Sequence, residues 1–260
     1  MLKWLLPVLD IEHNHFVDCF GGSAAVLLNK KPVNLETYND LNSDVVNLFK
    51  VLRDPDQGLA LIKSLELTPY SKEEYNASWG SVSEDPIERA RCFFIRSMQS
   101  FGSTGAQASY QGWSYTKNDF RNGVSQSVAR YLSSIAGLPE VIYRLRGVQI
   151  ENRDFREIVD RYSNSKGVLI YFDPPYPRES RTGTNTYAYE FTNTDHSDLF
   201  ELIKDAPFKW CVSSYECDLY NDFFRGGGGI FQDRLETLSY QFARATSHRG
   251  TLDQLRPANQ

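Results

Sequence analysis

The sequence predicts an α/β fold, in which a parallel sheet is interrupted by a mainly helical insertion. Three observations predict it. Val168 to Phe172 is a β-branched and aromatic run that stops at Asp173-Pro174-Pro175-Tyr176-Pro177. That is the pattern of a buried parallel strand, because prolines lack an N–H and push their predecessors out of helical geometry, so the chain must leave the sheet as a stiff corner. Phe16 to Val26 runs from an apolar strand through Gly21-Gly22 into small and apolar residues at helical spacing. Leu35 to Asp40 is a second strand ending in an acid 22 positions after Asp18 (40 − 18), followed by the apolar-periodic helix Val45 to Arg53.

Composition sets the outer bounds. The chain has 260 residues, 41% hydrophobic and 23% charged, enough to bury a sizeable core in one domain with an insertion or in two domains. Its formal charge of −5 argues against a general electrostatic nucleic-acid binder, although a local cluster of Arg and Lys still binds phosphates. The four cysteines, Cys19, Cys92, Cys211 and Cys217, have no CxxC pairing and are expected as buried thiols, which disfavours structural zinc. With no charged-then-apolar leader and no run of about twenty apolar residues, a cytoplasmic protein without membrane contact is expected.

In chain order, residues 1–10 read as a short helix or lead-in carrying Lys3. His13 and His15 form an isolated pair and are expected at the surface rather than on a metal. The Gly21-Gly22 turn lets the backbone approach a ligand closely, and the following helix start offers free N–H groups. Asp40 lies where an acid accepts hydrogen bonds from ribose hydroxyls; a helix cap is the alternative, though Asn42 or Ser43 can serve there. From Asp54 to about Val148 the α/β alternation lapses. Asp85-Pro86 opens a helix whose Ile87, Ala90, Phe94 and Met98 form an apolar stripe, expected as core. Ser100 to Arg121, rich in amides and hydroxyls and carrying Lys117 and Arg121, is expected to be irregular, either a base- and phosphate-reading loop or a mobile polar one. A helix follows at about Val124 to Ala136.

Val148 to Phe155 reads as a strand leading into a helix that ends near Tyr162, with Asp154 as a candidate cap and Phe155 packing inward. The corner after Phe172 carries one carboxylate, free carbonyls and one ring. Asp173 and the Pro174 carbonyl can accept both protons of a planar amine while Tyr176 stacks on its face. Arg178 to Phe191 is a long polar loop, and His196 beyond it has no nucleophile to activate, so a structural role is expected. Lys209 to Tyr215 is another strand. Gly226 to Gly229 lacks a P-loop Lys-Ser/Thr and reads as a turn before a hairpin at 230–242, and the last ten residues have no assignment.

Asp173-Pro174-Pro175-Tyr176 at a strand end resembles the catalytic motif of the amino-group DNA methyltransferases. Asp18, Phe20 and Gly22 match the family's acid-Pro-Phe-x-Gly-x-Gly, with Cys19 and Ala24 in place of Pro and the last Gly. Asn39-Asp40-Leu41-Asn42 matches its Asn-Asp-x-Asn, and Asp154-Phe155 its adenine-contacting pair. The order of these motifs, with the insertion between cofactor segment and catalytic corner, is that of the alpha group and favours adenine over cytosine. The resemblance implies a Rossmann-like class I methyltransferase sheet, with residues 1–53 and 149–260 binding S-adenosylmethionine and 54–148 recognising the target.

It further implies methyl transfer to adenine N6 in double-stranded DNA after base flipping, with Asp173, Pro174, Pro175 and Tyr176 as catalytic corner. The cofactor set it implies is Lys3, Asp18, Phe20, Gly22, Asp40, Asp154, Phe155 and Asp173. Of the family's Gly-Gly-Lys only Lys3 is matched, and a solvated lysine is equally compatible. Lys117, Arg121, Arg178 and Arg181 are the implied DNA contacts, and Arg181, Tyr187, Glu190, His196 and Leu199 match the family's post-motif segment. Beyond Arg249 the family's Arg-x-Glu is broken by Thr251. No metal is implied. A restriction endonuclease partner and a monomer or weak dimer are compatible with the family. The rival readings are a cytosine-N4 or RNA methyltransferase sharing the same corner, and a catalytically silent DNA-binding relative, which would bind DNA without cofactor.

Overall fold

The computed structural model describes residues 2–80, 82–101, 112–121, 123–180, 189–214 and 217–226. Helix α1 (Leu2–Val8) leads into β1 (His15–Asp18), α2 (Ala25–Asn29), β2 (Leu35–Asn39) and α3 (Ser43–Arg53). The insertion supplies α4 (Pro55–Leu67), α5 (Lys72–Ala77), α6 (Pro86–Gln99), β3 (Phe120–Arg121), β4 (Val124–Ser125), α7 (Gln126–Ala136) and α8 (Leu138–Leu145). Then come β5 (Val148–Glu151), α9 (Phe155–Tyr162), β6 (Val168–Phe172), α10 (Asn193–Ile203), β7 (Lys209–Val212) and α11 (Asp218–Gly226).

Among the described residues the main sheet has the order β5-β2-β1-β6-β7, every pair parallel. From β1 the chain first builds outward through β2 and β5, then returns to place β6 on the other side of β1. The boundary between β1 and β6 is therefore the switch point, where the loops leaving the carboxyl ends diverge and open a crevice. Asp18 ends one of these strands and Asp173 follows the other.

Both faces of the sheet are covered, which is why its strands read as continuous apolar runs rather than alternating ones. Leu169 and Tyr171 join Phe16, Tyr38 and Cys211 in the core on one face. Val168, Ile170 and Phe172 join Val17, Trp210 and Phe200 on the other. The insertion does not fold apart from the sheet. Leu61, Leu65, Phe94, Tyr131 and Leu138 are buried in the same apolar cluster as Phe16 and Leu169.

Local signals account for the helix starts. Asp54 and Asp85 cap α4 and α6 ahead of a first-turn proline, Ser125 caps α7, and Thr192 with Asp195 forms a capping box on α10.

Some expectations need correction. Phe120–Arg121 pairs antiparallel with Val124–Ser125, so the end of the polar segment is a hairpin and α7 begins at Gln126. Strands of two residues have no periodicity to read. His13 and His15 are half-buried, the latter with Nε2 2.8 Å from the Thr37 hydroxyl and its ring edge-on to Tyr162. Cys19 and Cys211 are buried, whereas Cys92 and Cys217 keep partial exposure. The expected hairpin at 230–242 and the positions Arg249 and Thr251 lie outside the described residues. Among the described residues no helix is long and apolar enough to cross a membrane, and no group of three His, Cys, Asp or Glu converges as a metal cradle.

Candidate active site

The loops leaving β1, β2 and β5 are tied together by backbone and amide hydrogen bonds. Buried Asn39 donates to the carbonyls of Cys19 (2.9 Å) and Arg153 (3.0 Å) and accepts from the Arg153 N–H (3.0 Å). The Gly21 N–H reaches the Asn39 carbonyl at 2.9 Å, and the Tyr38 hydroxyl donates to the Gly22 carbonyl at 2.7 Å. Asp40 closes the cradle, accepting from the N–H of Gly22 (2.8 Å) and of Asn42 (2.7 Å). Helix α3 is capped by Asn42, so Asp40 is released from that duty, as the sequence suggested.

These ties explain the glycines. A Cβ on Gly21 would lie 2.2 Å from Cε2 of Tyr38, a fully buried ring held by its own hydroxyl bond, and Gly22 takes φ +49°. Ala24, at the place of the family's last glycine, is left-handed at φ 56°. The backbone keeps the glycine-like turn at a cost of about 1 kcal/mol. We expect Gly21→Ala to destabilise the fold by about 1–3 kcal/mol through overpacking against Tyr38. A denaturant midpoint equal to the parent's would show that the ring yields freely.

Above this cradle is a cavity of about 740 Å³. Phe20, Gly22, Asp40, Asp154, Phe155, Asp173 and Pro175 all line it, so most of the predicted cofactor residues share one space with Asp173 and Pro175 of the corner. Four residues of the predicted cofactor set and corner do not line it: Pro174 and Tyr176 of the corner, and Lys3 and Asp18. Lys3 is exposed on α1, and Asp18 is sealed at the end of β1, with Oδ2 lacking a hydrogen-bond partner.

The carboxylates differ in environment. Burial, reinforced by the negative charge of Asp173, pushes Asp18 up to about 8, against a backbone hydrogen bond from Leu27. Burial pushes Asp173 up to about 6, opposed by the Tyr176 hydroxyl, which donates to it, and by the polar Tyr171 hydroxyl nearby. Asp173 retains some exposure through the cavity. Near neutral pH Asp18 therefore holds a proton while Asp173 is mostly ionised. Asp40 is also raised by burial, with the Asn42 and Gly22 N–H groups pulling the other way.

One wall is aromatic. Phe20, Phe155 and Phe191 meet with centroids 5.2–5.8 Å apart. Phe191 packs edge-on against buried His196 at 4.6 Å, and His196 Nδ1 lies 3.0 Å from the Tyr220 hydroxyl, which holds the ring inside the fold. Asp154 caps α9 through the Arg156 N–H, and Arg156 lies over Phe155 while pairing with Asp195 (2.7 Å) and Asp198 (2.6 Å) of α10.

Sequence reading missed Arg156, whose signal was only its position after Asp154-Phe155. It also missed the contribution of α6 and α8, whose Phe94, Met98 and Leu138 line the apolar end of the cavity. Of the predicted DNA contacts, Lys117 is exposed above Tyr115 and Arg178 is exposed, 3.8 Å from Glu190. Arg121 lies in β3. Arg181 and Tyr187 lie outside the described residues.

Comparison with known proteins bears on this geometry. The family model described as D12 class N6 adenine-specific DNA methyltransferase matches residues 1–236. The type II methyltransferase M1.LlaDCHI of Lactococcus lactis subsp. cremoris is 22% identical over 245 residues, covering 85% of this chain and 80% of that protein. The type II methyltransferase M.MjaIII of Methanocaldococcus jannaschii is 25% identical over 226 residues, covering 81% and 77%.

Proposed function

Because this chain belongs to the D12 class of N6 adenine-specific DNA methyltransferases, we propose that its cavity holds S-adenosylmethionine beside a flipped adenine, with Asp173 gripping the amine. The observation that carries this reading is the opening of Asp173 into the same cavity as the Gly22 turn and Asp40. The wall chemistry suits the cofactor: a carboxylate stands at the end of β2 for ribose hydroxyls, and Phe20, Phe155 and Phe191 offer faces for an adenine ring. When bound, the cofactor supplies an electrophilic methyl group on a sulfonium.

The rest falls to this chain's residues. An adenine amine is a poor nucleophile because its lone pair is delocalised into the ring. Ionised Asp173 and the Pro174 carbonyl accept its two protons, favouring tetrahedral nitrogen and stabilising the positive charge that develops there. The Tyr176 hydroxyl donates to Asp173 Oδ1 at 3.2 Å and leaves the other oxygen for the amine, while its ring stacks on the base and holds it in line. Extracting the base from the duplex costs a few kcal/mol, which stacking in the pocket offsets. Residues 54–148 act as the target-recognition part, and Lys117, Arg121, Arg178 and Arg181 contribute phosphate contacts. A role beside a restriction endonuclease fits the type II relatives.

The test is transfer from labelled S-adenosylmethionine to unmethylated duplex DNA, followed by nucleoside analysis. Labelled N6-methyladenine is expected, and a folded protein that binds DNA yet transfers nothing would overturn the proposal. Asp40→Asn turns one acceptor oxygen into a donor facing the Gly22 or Asn42 N–H. We expect it to weaken S-adenosylmethionine binding by about tenfold or more in calorimetry. An unchanged affinity would remove Asp40 from the cofactor cradle.

A further inference from the structure

One guanidinium joins two walls of the cavity, and the proposed mechanism gives it no role. Arg156 is the second residue of α9, after the cap Asp154 and Phe155. A cation there opposes the partial positive charge of a helix start, so the stability of α9 does not account for it. Its main partners lie on α10. Nη2 donates to Asp195 Oδ1 at 2.7 Å and to Asp198 Oδ2 at 2.6 Å, and Nε reaches Asp198 Oδ2 at 3.2 Å. Nη1 lies 3.4 Å from both carboxylate oxygens of Asp154. The guanidinium carbon stands over the Phe155 ring, 4.4 Å from its centroid.

Asp195 carries the tie onward. Its second oxygen accepts from the Thr192 N–H at 2.8 Å and from the Thr192 hydroxyl at 2.6 Å, which closes the capping box of α10. Phe191 is the residue before that cap, and its ring meets Phe155 at 5.2 Å and Phe20 at 5.4 Å. Phe155 opens α9 and Phe191 precedes α10, so one cation fixes the starts of both helices and with them the two rings. Arg156, Asp154, Phe155, Phe191 and Asp195 all line the cavity. On the reading of Phe20, Phe155 and Phe191 as the wall that takes the cofactor's adenine, we infer that Arg156 is a positioning residue for that adenine, holding Phe155 and Phe191 together as one stacking wall. Arg156 exposes 39% of its side chain, Asp195 25% and Asp198 45%. Ion pairs this open to solvent add little to global stability, so the tie acts on local geometry.

Binding of S-adenosylhomocysteine, measured by calorimetry, reads the adenine wall without turnover. Arg156→Met keeps an unbranched stem and removes the charged fork. Its dissociation constant should rise by about tenfold, and KM for S-adenosylmethionine in step, while kcat at saturating cofactor and Tm stay close to the parent's. Arg156→Lys keeps the charge without the planar fork, so its affinity should fall between the two. Among the described residues the side-chain hydrogen bonds of Asp198 all go to Arg156. Asp198→Asn should therefore weaken binding less than Arg156→Met, and the double variant should be no worse than Arg156→Met alone.

All variants are measured beside Phe155→Ala, with thermal melts to establish folding. If Phe155→Ala loses affinity and Arg156→Met binds as the parent does, the positioning role is overturned while the adenine wall stands. A lowered Tm with an unchanged dissociation constant, or additive losses from Arg156→Met and Asp198→Asn, would overturn it in the same way. Where Arg156→Met fails to fold, Arg156→Lys and Asp198→Asn decide, and parental affinity in both overturns the inference. Phe155→Ala binding as tightly as the parent would instead overturn the wall on which it rests.

Discussion

Asp173→Ala should bring methyl transfer down by about a thousandfold while leaving a folded, DNA-binding protein, the scale expected when a preorganised group facing developing charge is deleted. The fold should survive because Asp173 is a burden on it. Its carboxyl is pushed up to about 6 by burial, so the folded state disfavours its charge. Asp173→Asn should retain more activity than the alanine variant, since an amide oxygen still accepts one hydrogen bond, but without the charge. The parent's rate follows the sign of the shift: the ionised form is the active one, so kcat holds above pH 6 and declines as pH falls through that value. The asparagine variant should lose this limb. Single-turnover rates between pH 5 and 8 check both, and an asparagine variant keeping the parental limb would assign it to another group.

The largest stability effect is expected from Arg144→Met. The guanidinium at the end of α8 donates to both carboxylate oxygens of Glu36 on β2, one of them at 2.8 Å, and to the Leu27 carbonyl of α2 at 2.9 Å. Glu36 exposes 3% of its side chain. Removing the arginine leaves that carboxylate buried without its partner, which costs about 3–5 kcal/mol. For a chain of this size that corresponds to a fall of about 10 °C in Tm. Adding Glu36→Met should recover much of the loss, because two apolar side chains need no counter-charge. A double variant as unstable as the single one would show that Arg144 acts through packing. The pair also ties the last helix of the insertion to the main sheet, so hydrogen exchange in β2 should quicken in the single variant.

Much of the fold was legible because its signals are local. A β-branched run stopped by prolines marked β6, two glycines after Asp18 marked the first turn, and Asp85 before a proline marked α6. The Asp-Pro-Pro-Tyr corner and the Asp40 loop could be picked out for the same reason, since both are short motifs whose polar groups lie in adjacent residues. The stripe on α6 shows where this ends. Ala90 and Phe94 are buried as the periodicity predicts, yet Phe94 and Met98 also line the cavity, and a 3.6-residue repeat has the same form whether the apolar face meets protein or a ligand space.

By itself, then, the sequence determined the succession of strands and helices, the turn chemistry and the short motifs that point to the family, because each depends on neighbours along the chain. Tertiary structure alone decided that Asp18 would be sealed beside Asp173 instead of facing the cavity, that Arg144 would find Glu36, and that the hydroxyls of Tyr171 and Ser213 would meet. These partners are distant in sequence. Which of them meet is set by the strand order β5-β2-β1-β6-β7 and its register, and the protonation of a buried carboxyl follows from the groups that this register places around it.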